Sequence, residues 1–185
     1  MYNIPMKRAL SLVLLLALLG GCAAIGESGA RWREAQRNLS DGQKPFAILR
    51  LMGLAKEGPR SPYARPATFA LGEYYFDVKD YANSVEMFSR FIRDYPDGTG
   101  DIFAKIIIYK MITQFKEEQA LGAEEEALIQ EIRKELFSQP LFLMFYDKKS
   151  PRSYKSLLKN SYLVYDYVDK IKVFRNDKPF LELTP

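Results

Sequence analysis

Two amphipathic segments, separated by a short acidic turn, occupy the stretch from Ala67 to Pro96. Apolar residues recur at three- and four-residue intervals up to residues 77–80, and the same spacing resumes after the turn. This spacing is typical of helices that bury one face, and a Pro followed by Asp-Gly favours a helix end. The stretch therefore predicts a helical hairpin, a unit that needs neighbours of the same kind to bury its faces.

The hairpin resembles a tetratricopeptide (TPR) repeat. The motif positions are filled by Leu71, Gly72, Tyr75, Ser84, Phe88 and Pro96. The resemblance implies that Gly72 lets the two helices approach closely, that Tyr75 and Phe88 fill the space between them, and that Pro96 ends the second helix. The chain departs from the motif at Thr68, where Trp is common, at Ser84, a small residue that replaces Ala, and at Phe91, which replaces the second small residue.

Weaker copies of the pattern flank this hairpin. Upstream, a predicted helix over residues 31–39 precedes the second-helix spacing, which recurs at Ala47, Leu51, Leu54 and Pro59. Downstream, Asp101 is a suitable cap for one helix, and another is predicted over residues 123–137. We therefore expect about three repeats between residues 31 and 140.

Residues 141–185 do not continue the repeat. Apolar side chains in residues 153–169 stand at mostly helical intervals, whereas residues 170–183 alternate around Asn176-Asp177. That alternation predicts a short β-hairpin, although a helical cap followed by an extended tail fits nearly as well. The expected fold class is all-α, a short TPR-like helical solenoid whose atypical C-terminal cap ends in a small hairpin or such a tail.

The first twenty-one residues predict a cleavable signal peptide. Lys7 and Arg8 precede an apolar run over residues 9–19, which is too short to span a hydrocarbon core of about 30 Å comfortably. The run ends in a sequence that resembles the bacterial lipobox, Leu19, Gly20, Gly21 and Cys22. The resemblance implies cleavage by a signal peptidase after Gly21 and a diacylglycerol on the Cys22 thiol.

The residues after Cys22 predict where the mature protein is held. Ala23 stands where an Asp is the usual signal for inner-membrane retention, so the resemblance implies an outer-membrane lipoprotein that faces the periplasm. Residues 22–30 are expected to form a lipidated tether, and two or three acyl chains at about 0.8 kcal/mol per buried CH₂ give a stable anchor. Met6 could replace Met1 as the start of the chain.

Composition excludes several classes of chemistry. The chain has no His and one Cys, Cys22, so His-based triads, Cys–His dyads and the usual zinc sites are excluded. Its 27 basic and 23 acidic residues leave +4, and the loss of Lys7 and Arg8 with the signal leaves +2. This charge does not indicate nucleic acid as a partner. We expect no catalytic residue, no metal and no cofactor besides the lipid.

Three residues on the first helix of the hairpin are candidates for partner binding. Phe69, Glu73 and Phe76 are three or four residues apart and would line the groove of a TPR array as two aromatic anchors with a charge between them. The alternative, favoured for the two Phe residues, is that they pack on the preceding repeat and leave Glu73 in solvent.

Four aspartates offer the only acid pairs that suggest an enzyme. Asp77, Asp80, Asp94 and Asp97 resemble the paired carboxylates of a glycosidase. All four stand at predicted turns or helix ends, where Asp caps helices and favours turns. We therefore expect structural roles for them.

The lipobox, the short tether and the repeat together resemble the periplasmic TPR lipoproteins typified by the lipoprotein subunit of the outer-membrane β-barrel assembly (BAM) complex. The closest match runs from Ala70 to Pro96. The resemblance implies a non-enzymatic scaffold or adaptor that binds an envelope protein, in outer-membrane protein assembly or another process. The alternatives are an accessory lipoprotein of a secretion, pilus or polysaccharide-export machine and, less favoured, an enzyme that acts on cell-wall glycan.

Overall fold

The computed structural model describes residues 26–96, 100–118, 123–138, 152–167 and 170–184. These residues belong to two compact units, Met1–Ala64 and Arg65–Pro185. The signal sequence and the lipobox at residues 19–22 lie outside the described residues, as does Asp97. The predictions made for those segments stay predictions.

The first unit contains a helical hairpin. Helix α1 covers residues 26–40, and α2 runs from Lys44 to Lys56. Their turn contains Gly42 at φ +73°, a conformation that glycine adopts without strain. The core side chains are Ala35, Ala47, Ile48, Leu51, Leu54 and Ala55. Because residues 26–30 are already helical, the expected tether over 22–30 is wrong at its C-terminal end.

The described part of the second unit contains the helices α3 (Ala64–Asp77), α4 (Tyr81–Asp94), α5 (Asp101–Glu118) and α6 (Ala123–Ser138). The first residue of α3 belongs to the first unit. Helix α4 begins where the Asp80 carboxylate accepts a hydrogen bond from the backbone N–H of Asn83 at 3.3 Å, a typical N-cap. The helix ends before Pro96, as its position predicts. The bounds expected for these helices are confirmed to within a few residues.

Helices α3 and α4 meet at Gly72. A methyl group at this position would lie 2.9 Å from three ring atoms of Phe88, which is completely buried. The Ser84 hydroxyl donates a buried hydrogen bond of 2.8 Å to the Gly72 carbonyl. Gly72 and Phe88 therefore make the close contact that the repeat motif implies, and Ser84 adds a hydrogen bond that alanine could not make.

The chain ends in a four-stranded antiparallel sheet. The strands are β1 (Arg152–Lys155), β2 (Ser161–Asp166), β3 (Ile171–Arg175) and β4 (Lys178–Leu183), and each pairs with the next along the chain. The β3–β4 turn places Asn176 and Asp177 at φ +52° and +61°, the backbone of a tight hairpin. The predicted hairpin is confirmed. The helix-like interpretation of residues 153–169 is wrong, because β1 and β2 occupy most of this segment. The expected all-α fold is confirmed only in part, since the chain is mostly helical but also carries this sheet.

One face of the sheet completes the core of the second unit. Tyr162, Val164, Ile171 and Val173 point inward at alternate positions and are at most 1% exposed, as the two-residue period of strands requires. They pack in one cluster with apolar side chains of α3, α4 and α5. Basic side chains cover the outer edge of β4, where Lys110 donates to the Phe180 carbonyl at 2.7 Å and Arg133 to the Thr184 carbonyl at 2.9 Å. Covering an edge in this way opposes pairing with other chains.

Candidate functional site

The predicted partner-binding strip on α3 lies beneath the C-terminal sheet. Phe69 and Glu73 are both 0% exposed, and Phe76 is partly buried beside Phe180 of β4, with 5.8 Å between ring centroids. The strip is therefore not an accessible groove surface in this structure. The reason is that the sheet of the same chain occupies the space that a partner was expected to fill.

Phe69 lies at the centre of an aromatic cluster. Its ring makes edge-to-face contacts with Phe88 and Phe91 of α4, both at 5.2 Å, and with Tyr154 of β1 at 4.6 Å. Such pairs add about 0.5–1.5 kcal/mol each beyond the burial of their area. Phe69 is therefore a packing residue, as the alternative interpretation expected. It packs on α4 and the sheet, however, whereas that interpretation expected the preceding repeat.

Glu73 carries the main polar contact between α3 and the sheet. Its Oε1 accepts a hydrogen bond of 2.6 Å from the Tyr162 hydroxyl and another of 2.9 Å from the Asn160 side-chain amide. Its Oε2 is buried and has no partner with full hydrogen-bond geometry in the described part of the chain. Glu73 was expected either to bind a partner or to lie in solvent. Both expectations are wrong, because the side chain is buried under the sheet.

The network continues into the turns of the sheet. The Asn176 amide donates to Asn160 Oδ1 at 2.9 Å, and Asn176 Oδ1 accepts from the Ser161 backbone N–H at 2.8 Å. We call Glu73, Asn160, Tyr162 and Asn176 the Glu73 cluster. It fixes the β1–β2 and β3–β4 turns to one carboxyl group on α3.

An ion pair lies beside the Glu73 cluster. Arg175 at the end of β3 donates to Asp77 Oδ1 at 2.7 Å, and its guanidinium lies 5.5 Å from the ring centroid of Phe76. The arginine side chain is 14% exposed and the aspartate 31%, so water screens the pair in part. It forms a second polar link between α3 and the sheet.

Burial controls the protonation of the cluster. It raises the pKa of the Glu73 carboxyl above its usual value, and this outweighs the opposing effects of side-chain hydrogen bonds from Ser156, Tyr162 and Asn160 and of the charge on Arg175. Burial and the nearby Glu73 also raise the pKa of the Tyr162 hydroxyl, so Tyr162 stays a donor at neutral pH.

We expect the stability of the second unit to increase as the pH falls through the pKa of folded Glu73 towards 4.5, the ordinary value for this carboxyl group. In that range the folded state binds more protons than the unfolded state, and protonation therefore favours folding. Urea unfolding at a series of pH values measures this slope. The difference between the pH slopes of wild type and Glu73→Gln gives the contribution of the Glu73 carboxyl group. Identical slopes for the two proteins would contradict a raised pKa for Glu73.

The predicted aspartates have structural partners where they are described. Asp77 pairs with Arg175, Asp80 caps α4, and Asp94 contacts Arg90 and Arg93 at 3.3 and 3.0 Å. No group of three or more acidic, His or Cys side chains within the described ranges could hold a metal ion. Among the described helices, none is both long enough and apolar enough to cross a membrane.

Sequence reasoning missed Asn160, Tyr162, Arg175 and Asn176 as partners of the α3 strip. The one available signal was the Asn176-Asp177 turn, which predicted the hairpin but not its docking on α3. No protein-family model, curated protein or solved structure matches the chain.

Proposed function

We propose that this chain is a lipid-anchored, non-enzymatic scaffold of the bacterial envelope, held on the periplasmic face of the outer membrane through Cys22. The observation that carries the proposal is the α3–α4 pair, in which Gly72 admits Phe88 and the Ser84 hydroxyl joins the two helices. This pair supports a TPR-like array, and such arrays bind other proteins. The lipobox-like sequence at residues 19–22 supports the anchor.

The positions of the acidic residues support a scaffold over a glycan-acting enzyme. Glu73 is 0% exposed, so its carboxyl group has no path to a substrate. Among the aspartates that suggested an enzyme, Asp80 caps a helix, and Asp77 and Asp94 pair with arginines. A glycosidase needs two carboxylates that flank an accessible bond, and the partners of Asp77, Asp80 and Asp94 favour structural roles for these three residues.

The proposal changes where a partner would bind. Because the sheet covers Phe69 and Glu73, a partner must contact another surface while the sheet stays docked. In the second unit, the large apolar side chains that are most exposed among those described are Val78, at 52%, and Tyr167, at 42%. These positions suit photo-crosslinking residues, and Phe76, beneath the sheet, is the matched negative position.

The test compares the wild-type protein with Cys22→Ser in intact cells, by crosslinking, affinity capture through a C-terminal tag and mass spectrometry. We expect the wild type to incorporate labelled palmitate and to capture an envelope protein. Cys22→Ser should lose both, because the lipid concentrates the protein at the membrane. Unchanged palmitate labelling of the variant would refute the lipid anchor.

The captured protein distinguishes the proposed functions. Recovery of a β-barrel assembly protein would support a role in outer-membrane protein assembly. Recovery of secretion, pilus or polysaccharide-export components would support the rival machine. Recovery of glycan fragments without a protein partner would refute the scaffold and favour the enzyme.

A further inference from the structure

The outward face of α2 combines exposed apolar side chains with basic ones. Phe46 is 61% exposed and Leu49 is 63% exposed, and a spacing of three residues places them on one face of the helix. The helix also contains Lys44, Arg50 and Lys56 and no acidic residue. Exposed Phe and Leu beside Lys and Arg are characteristic of helices that lie in a membrane interface.

The wider charge of the hairpin has the same sign. Residues 26–64 contain seven basic and four acidic side chains, a net charge of +3. Arg50 forms an ion pair of 2.8 Å with Glu34, and both side chains remain nearly half exposed. Two copies of α2 packed through this face would bring like charges together, which is unfavourable. An anionic surface is the complementary partner.

The position of the hairpin in the chain brings it close to the proposed lipid. Helix α1 begins at residue 26, which is four residues after Cys22, and four Cα steps span at most about 14 Å. The Ser28 hydroxyl near the start of α1 donates to Glu57 Oε1, just after α2, at 2.8 Å. The end of α2 therefore lies beside the end of α1 that the lipid would hold.

We propose that the outward face of α2 docks on an anionic lipid surface. Phe46 and Leu49 enter the boundary between headgroups and acyl chains, while Arg50 and Lys56, which flank them on the same side of the helix, approach the phosphates. This inference rests on the proposed lipid anchor and deepens it: the lipid supplies one attachment, and α2 supplies a second that fixes the orientation of the hairpin.

The first test is vesicle flotation of the chain over residues 23–185, which lacks Cys22 and its lipid. We expect binding to vesicles of phosphatidylglycerol and phosphatidylcholine and weak binding to phosphatidylcholine alone. Phe46→Ser with Leu49→Ser should lower the partition coefficient at least about tenfold. The matched control, Val78→Ser with Tyr167→Ser, removes exposed apolar side chains elsewhere and should bind as the wild type does.

A fluorescent probe locates the docking face directly. Gly53 lies on α2, one turn after Leu49, and a Cβ there meets no atom within 4 Å. An environment-sensitive dye on Gly53→Cys should shift to the blue on anionic vesicles, whereas the same dye on Val78→Cys should not. Equal shifts at the two positions would overturn the assignment of the face.

The outcomes separate this inference from the proposed anchor. Missing palmitate on Cys22 with intact vesicle binding of the lipid-free chain would refute the anchor alone. A lipidated Cys22 with no selective vesicle binding, or with binding that Phe46→Ser and Leu49→Ser leave unchanged, would overturn the docking alone. A concentration-dependent dimer that the same double variant abolishes would overturn it by assigning the face to a second copy.

Discussion

Replacing Glu73 by leucine is expected to lower the free energy of unfolding of the second unit by about 3 kcal/mol or more. Leucine is similar in size but cannot accept the hydrogen bonds that Tyr162 and Asn160 donate to Oε1. The buried Tyr162 hydroxyl left without an acceptor costs about 1–3 kcal/mol, and the half-buried Asn160 amide adds to that loss. Urea denaturation followed by circular dichroism measures the loss, and hydrogen exchange should show the amides of β2 and β3 losing protection first.

Two matched variants distinguish the acceptor role from other effects of the substitution. Glu73→Gln keeps an oxygen acceptor for both donors and removes the charge, so we expect it to be within about 1 kcal/mol of the wild type. Glu86→Leu makes the same change at an exposed position of α4 and should alter stability by less than about 0.5 kcal/mol. Equal losses for the leucine and glutamine variants at position 73 would show that the hydrogen bonds at Oε1 contribute nothing.

Local signals were sufficient to predict the helical hairpin of the second unit. Asp80 is a favourable N-cap, apolar residues repeat with a helical period, and Pro96 ends the pattern. Each of these acts within one helix or between neighbours in the chain. For that reason, the sequence predicted the limits of α3 and α4 and the contact between Gly72 and Phe88 well.

The strands β1 and β2 were harder to predict because they are short. Tyr154, Ser161, Tyr162 and Tyr165 fit a helical spacing, while within β2 the buried side chains alternate with a period of two. Four to six residues are too few for periodicity alone to separate these patterns. Lys159, at φ +67°, breaks the apparent helix, but nothing in the sequence predicts a positive φ for lysine there.

The Glu73 cluster could not be predicted once those strands had been interpreted as a helix. The hydrogen bond between Tyr162 and Glu73 joins residues 89 positions apart, and no local pattern encodes a contact of this range. Phe69, Glu73 and Phe76 were correctly placed on one face of α3. The error was the identity of what covers that face, since the chain supplies its own sheet where a partner was expected.

Gly72→Arg is expected to unfold the second unit, because a long charged side chain cannot fit between α3 and α4. Even the methyl group of Gly72→Ala would lie 2.9 Å from the Phe88 ring. That ring is fully buried and packs edge-to-face on Phe69 at 5.2 Å, so it cannot move away cheaply. Overpacking of this kind costs about 1–3 kcal/mol. Thermal and urea denaturation measure both variants, and wild-type stability of Gly72→Ala would contradict the close contact.

The matched control is Gly53→Ala in α2, where a Cβ meets nothing within 4 Å. Alanine is a better helix former than glycine, so this variant should gain about 0.5–1 kcal/mol while Gly72→Ala loses stability. The opposite signs separate crowding from helix propensity. In the double variant with Phe88→Leu, the aromatic ring that the new methyl group would meet is gone. The double variant should therefore lose less free energy of unfolding than the two single variants lose in sum. Strictly additive losses would place the cost of Gly72→Ala somewhere other than the contact with Phe88.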